Sequence, residues 1–148
     1  MTAKEYLEQA YWLDLKINDD LRQVENLRKL VVSISSPGLG EKVVSSGTTE
    51  PSFVRVMEKI LLLEDKINNE VDTLVDLKEQ ISLVIGMLEN PNEQLVLQGR
   101  YVLQKSWRTL ATDLHADPKT IRKWHATGIK NIILPANPIS IRKKVVNP

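Results

Sequence analysis

The 148-residue sequence contains no cysteine. That excludes a disulfide scaffold, thiolate-ligated zinc and thiol catalysis. Aromatic residues reach only 5%, which suits packed helices better than a β-sandwich. No apolar run approaches the ~18–20 residues that span a bilayer. The opening Met1-Thr-Ala-Lys-Glu-Tyr mixes charges at once and lacks the apolar centre of a signal peptide. The expectation is a cytoplasmic protein with no membrane contact. Histidines are also scarce. His115 and His125 lie ten residues apart, with only Asp113 and Asp117 near them, too few ligands for a metal. Gly38-Leu-Gly40 is too short for a phosphate-binding fingerprint and has no strand before it. No cofactor, no metal and no enzymatic activity are expected.

Charge of one sign also looks scarce, because the formal net charge is +1. Its distribution is uneven. Residues 1–90 carry ten Lys/Arg against sixteen Asp/Glu, and residues 91–148 carry ten against three. An acidic part at −6 thus precedes a basic part at +7, a division that suggests two tasks.

Two long amphipathic stretches occupy the acidic part. In the first, from about Thr2 to Ile34, Thr2-Ala-Lys-Glu5 has capping-box form. Ala3, Tyr6, Ala10, Leu13, Ile17, Asp20, Val24, Leu27, Val31 and Ile34 then alternate spacings of three and four, a heptad seam with one polar member, Asp20. In the second, from about Ser52 to Leu88, Phe53, Ile60, Ile67, Leu74, Ile81 and Leu88 recur every seven residues, with apolar rows on both flanks. Glu64, Asp65, Asp72, Asp76 and Glu79, mixed with Lys59, Lys66 and Lys78, form a solvated face. The Ser/Thr/Gly/Pro-rich stretch 35–51 between the two reads as a mobile loop. Leu7, Tyr11, Leu21 and Leu30 fall off the first seam and ask for a further partner.

In the basic part, Asn90-Pro-Asn-Glu93 opens a third helix with another capping box and proline at its first position. Ser106 to about Leu114 and Asp117 to about Ile132 then have the dimensions of a helix-turn-helix across His115-Ala-Asp117. Ala111 is expected where the two helices cross, and Ile121 and Trp124 anchor the second. Its outer face would present Lys119, Thr120, Arg122, Lys123 and Thr127, residue types that read base edges from a recognition helix at about 118–132. Lys105, Arg108 and Lys130, with Arg100, are candidates for phosphate contact.

The residues from Trp107 to Ile132 resemble the region-4 helix-turn-helix of bacterial sigma-70-type factors. The matching positions are Trp107, Leu110-Ala111, Leu114, Asp117, Ile121, Trp124 and the Ala126-x-x-Ile129-x-x-Ile132 ending. With an acidic helical part ahead of this module, the chain is similar to small sigma-like regulators encoded by phages and prophages of Gram-positive bacteria. The resemblance implies a DNA-binding transcription regulator in the bacterial cytoplasm. It departs from the pattern at His115, where glycine is usual in the turn, and at Thr127, where an arginine is often found. No counterpart of region 2 is visible, so a complete sigma factor is not expected.

These readings give an all-α chain. A long, coiled-coil-like antiparallel helical hairpin occupies 1–89, a three-helix helix-turn-helix module 90–134 and a basic tail 135–148. The expected partners are duplex DNA and a second copy through the N-terminal helices. RNA polymerase or another phage or host protein is a further candidate. The alternatives are a protein-interaction module (an antirepressor or polymerase adaptor) with a weak helix-turn-helix, and a DNA-packaging recognition subunit.

Overall fold

The structure, a computed structural model, describes residues 1–35 and 46–141. The described residues are all-helical, with no strand among them. The loop expected at 35–51 falls mostly on 36–45, outside the described residues. Its last part is corrected: helix begins at Ser46, so Pro51 lies inside it. Proline gives up one N–H and crowds the carbonyl four residues back, which is why the sequence reading starts the helix after it. None of the described helices is long and apolar enough to cross a membrane.

Helix α1 spans Ala3–Ser35 and α2 spans Ser46–Gly86. The start of α1 is the capping box the sequence announces. Glu5 N–H donates to Thr2 Oγ1 (3.2 Å) and Thr2 N–H donates to Glu5 Oε2 (3.3 Å), satisfying two otherwise orphaned donors. The chain divides into two compact units, one of residues Leu15–Asp72 and one of Met1–Asp14 with Thr73–Pro148.

In the first unit, Ile17, Asp20 and Val24 of α1 are buried, as are Val56, Ile60 and Ile67 of α2. Arg28 pairs with Glu64 at 2.7 Å and Asp20 with Lys66 at 3.5 Å, so numbers fall along one helix as they rise along the other. Burial follows the α1 seam of the sequence reading, Asp20 included. It leaves Leu61, Leu62 (72% exposed), Leu21 and Leu30 facing outward.

In the second unit, α3 spans Pro91–Leu97 and continues into a π turn at Gln98–Val102, followed by α4 at Trp107–Asp113 and α5 at Pro118–Asn131. Its main core gathers Tyr6, Leu7 and Ala10 of α1, Leu77, Ile81, Val84 and Ile85 of α2, and Leu97 and Tyr101. Leu7 is therefore not an outward residue awaiting a partner; it is 0% exposed. Tyr11 does face outward.

Residues 132–141 return to this core, where Ile132, Leu134 and Ile139 pack. Two glutamine side chains hold the segment. Gln80 donates to Asn137 O (3.1 Å) and accepts from Ile139 N–H (3.0 Å). Gln9, 2% exposed, donates to Ile139 O (2.9 Å) and accepts from Ile141 N–H (2.9 Å). A side-chain amide has both donor and acceptor, so each glutamine supplies what a neighbouring backbone would. The Tyr6 hydroxyl donates to the same Gln80 Oε1 at 2.8 Å.

Candidate nucleic-acid interface

The surface of interest is built by α3, α4 and α5. Asn90 caps α3 by accepting from the N–H groups of Asn92 (2.9 Å) and Glu93 (3.4 Å). The reciprocal arm of the expected capping box is absent. Glu93 is buried, and its Oε1 accepts from Asn131 Nδ2 at 3.1 Å, tying α3 to the last residue of α5. Gly128 makes that approach possible. A Cβ there would stand 3.1 Å from Leu97 Cδ1 and 3.3 Å from Glu93 Cβ. The glycine that looks costly in a helix interior is a point of close packing between α3 and α5.

Ser106 caps α4 by accepting from Thr109 N–H at 3.1 Å. The turn to α5 has Schellman form. Ala116 N–H donates to Ala111 O (3.0 Å), His115 N–H donates to Thr112 O (3.3 Å), and His115 adopts φ 49°. A left-handed backbone at this position is what makes glycine usual there. The π turn also ends in a left-handed residue, with Gln104 at φ 55° and Lys105 N–H donating to Gly99 O at 2.9 Å; nothing in the sequence marked that turn. Asp117 stands at the N-cap of α5 with extended backbone, but its side chain caps nothing. Val96, Leu110 and Ile121 form the small core beneath, with Ala111, Leu114, Ala116 and Trp124 against it.

This packing fixes which face of α5 is outward. Lys119, Arg122, Lys123, Thr127 and Lys130 are exposed, and their spacings of three, four and eight place them on one stripe. Thr120 is half-buried at its edge. Helix α5 contains no acidic residue. Among the described residues, no ion pair holds Lys119, Arg122, Lys123, Lys130 or the exposed Arg108 of α4. Lys105 differs: its Nζ is 2.8 Å from Asp113 Oδ2. Arg100 is also engaged, stacked 4.5 Å over the Trp107 ring and donating to Lys105 O at 3.0 Å. An open groove of about 770 Å³ runs between α4 and α5, with Arg108 and Thr112 on one side and Pro118 and Arg122 on the other.

His125 faces inward from the stripe. Its ring stacks on Tyr101 (5.7 Å between centroids) and meets Trp107 edge-on (4.8 Å). Burial, reinforced by Lys4 and Arg100, pushes its pKa down to about 4, while burial pushes Tyr101 up to about 12. Both are neutral at pH 7. The Tyr101 hydroxyl and His125 Nε2 are hydrogen-bonded at 2.6 Å, a neutral pair in which one proton lies between the two atoms. This histidine is a packing and hydrogen-bonding group. Among the described residues, no three His, Cys, Asp or Glu side chains gather as a metal site would require. Comparison with protein-family models, curated proteins and solved structures finds no match to this chain.

Proposed function

We propose that the chain is a sequence-specific DNA-binding transcription regulator of a phage or prophage, with α4 and α5 as a sigma region-4-like helix-turn-helix and α5 as its recognition helix. One observation carries this reading: the exposed stripe of Lys119, Arg122, Lys123, Thr127 and Lys130 on a helix without a single carboxylate. Four cations that no anion among the described residues neutralises suit a polyanion, and their release of condensed counterions would drive binding. The first two turns of α5 carry Lys119, Arg122 and Lys123, where a recognition helix presents its base-reading groups. Arg108, across the groove, would contact a phosphate. Lys105 contributes less, because contact with DNA would break its bond to Asp113.

The acidic helices are proposed as an antiparallel hairpin through which two copies associate. Outward-facing Leu21, Leu30, Leu61 and Leu62 support a protein partner for that region. Two recognition helices would then suit a two-fold operator.

Binding to random-sequence and selected duplexes over a range of salt concentrations tests the proposal. Arg122→Ala and Lys123→Ala should each weaken binding and lower the salt slope by about 1, with Lys105→Ala nearly silent. Absence of duplex affinity at low salt overturns the reading. It would leave a protein-interaction role for the exposed apolar residues.

A further inference from the structure

The α1 seam has one polar member, Asp20, and burial shows that α2 has one too. Val56, Ile60, Leu63, Ile67, Glu70, Leu74, Leu77, Ile81 and Val84 are buried or half-buried residues spaced by three and four along α2. Glu70 is the only charged side chain among them. The two odd members are neighbours across the seam: Lys66, one turn before Glu70 on α2, stands 3.5 Å from Asp20 Oδ2, and each carboxyl acts on the other's titration. Asp20 is 1% exposed. Asp20 Oδ2 and Glu70 Oε1 are both buried, and among the described residues neither accepts a hydrogen bond of normal geometry. Two carboxylate oxygens cannot satisfy each other, since each only accepts. A proton on one of them turns the contact into a donor–acceptor pair.

We propose that Asp20 and Glu70 form a proton-binding site in the seam between α1 and α2, with one proton shared by the two carboxyls. The charged groups around it are Lys16 from α1 and Lys66 from α2, the latter 3.5 Å from Asp20 Oδ2. They favour one anion, and the proton removes the second. A metal ion is the poorer occupant, because two ammonium groups already neighbour the carboxyls and no third ligand joins them among the described residues.

The electrostatics agree. Burial pushes Glu70 up, the neighbouring Asp20 anion pushes it further, and the carboxyl reaches about 7 against the opposing lysines. Burial also acts to raise Asp20, but Glu70 and the charges of Lys16 and Lys66 outweigh it and hold that carboxyl below its ordinary value. The pair behaves as one unit with a retained proton. Losing that proton puts two anions side by side in an otherwise apolar seam and loosens the pairing of α1 with α2 around it. The physiological range lies across that transition.

Carboxyl-carbon NMR of the full-length chain through a pH titration tests this directly. Glu70 should titrate with a midpoint near 7. In Asp20→Asn the midpoint should fall, because the neighbouring anion is gone. Glu70→Gln retains a donor toward Asp20 and should fold, with thermal stability above pH 7 equal to or greater than that of the parent. A Glu70 midpoint in the ordinary glutamate range, about 4.3, overturns the proposal. So does a Glu70→Gln variant less stable than the parent at pH 8.

Discussion

Two glycines that end up in opposite surroundings give a sign test of the packing between α3 and α5. Alanine at Gly128 gains about 1 kcal/mol of helix propensity. Against this, its Cβ would lie 3.1 Å from Leu97 Cδ1, 3.3 Å from Leu97 Cγ and 3.3 Å from Glu93 Cβ. Two of those atoms are close to the α3 backbone and cannot swing away as a side-chain tip can. Leu97 is fully buried, and Glu93 is held by Asn131. Relief therefore requires α3 to shift, and overpacking of this kind costs about 1–3 kcal/mol. The net expectation for Gly128→Ala is a loss of about 1 kcal/mol, or roughly 2–4 °C in Tm. Gly86 is the internal control. A Cβ there meets nothing within 4 Å, and its φ is not positive. Gly86→Ala should therefore gain up to about 1 kcal/mol through propensity and a less flexible unfolded chain. Calorimetry of the two variants, side by side with the parent, reads the difference. If Gly128→Ala melts higher than the parent, the close approach of α3 and α5 is wrong.

Further outcomes follow from the same geometry. His125 is refused a proton that the unfolded chain accepts, so stability should fall on the order of 2 kcal/mol as pH drops from 6.5 to about 4. Glu70 acts the other way: its raised pKa contributes stability that is present below 4.5 and lost as pH rises to about 7. Urea denaturation of Glu70→Gln at pH 5 and pH 7 isolates the histidine effect, and equal stabilities would refute it. Gln9→Ala removes two bonds to the segment ending at Ile141 and should cost about 1–3 kcal/mol. Hydrogen exchange at Ile139 and Ile141 should rise in that variant, and unchanged protection would contradict the clamp. His115→Gly relieves a left-handed backbone but loosens the unfolded chain. A gain of no more than about 1 kcal/mol is expected in thermal melts, and destabilisation would contradict the Schellman turn.

Much of this arrangement is legible from periodicity alone. The α1 seam repeats often enough that even its polar member is placed correctly, and the turn at His115 follows from the lengths of the apolar runs around it. Glu70 is not legible. It stands among the carboxylates and lysines spread along α2 without a place in the sequence reading, and only Asp20 across the seam gives it a meaning. The role of Gln9 is hidden for a related reason: its partners lie 130 and 132 residues away, and no local pattern encodes such a contact. Gly128 misleads because propensity treats the helix in isolation, whereas its use depends on Leu97 and Glu93 of another helix. The π turn likewise depends on tertiary packing and looks like continuous helix in the sequence.

The contact between Gln9 and residues 139 and 141 also bears on how the chain assembles during synthesis. Residues Leu15–Asp72 form a continuous unit, whereas the other unit joins Met1–Asp14 to everything from Thr73 onward. On the ribosome the continuous unit emerges first and can bury its seam while translation proceeds. The first turns of α1 must wait, with Tyr6, Leu7 and Ala10 uncovered, until α2 is complete and Ile141 has left the exit tunnel. A ribosome stalled between those points should display a chain whose middle resists protease while its N-terminal residues are cut.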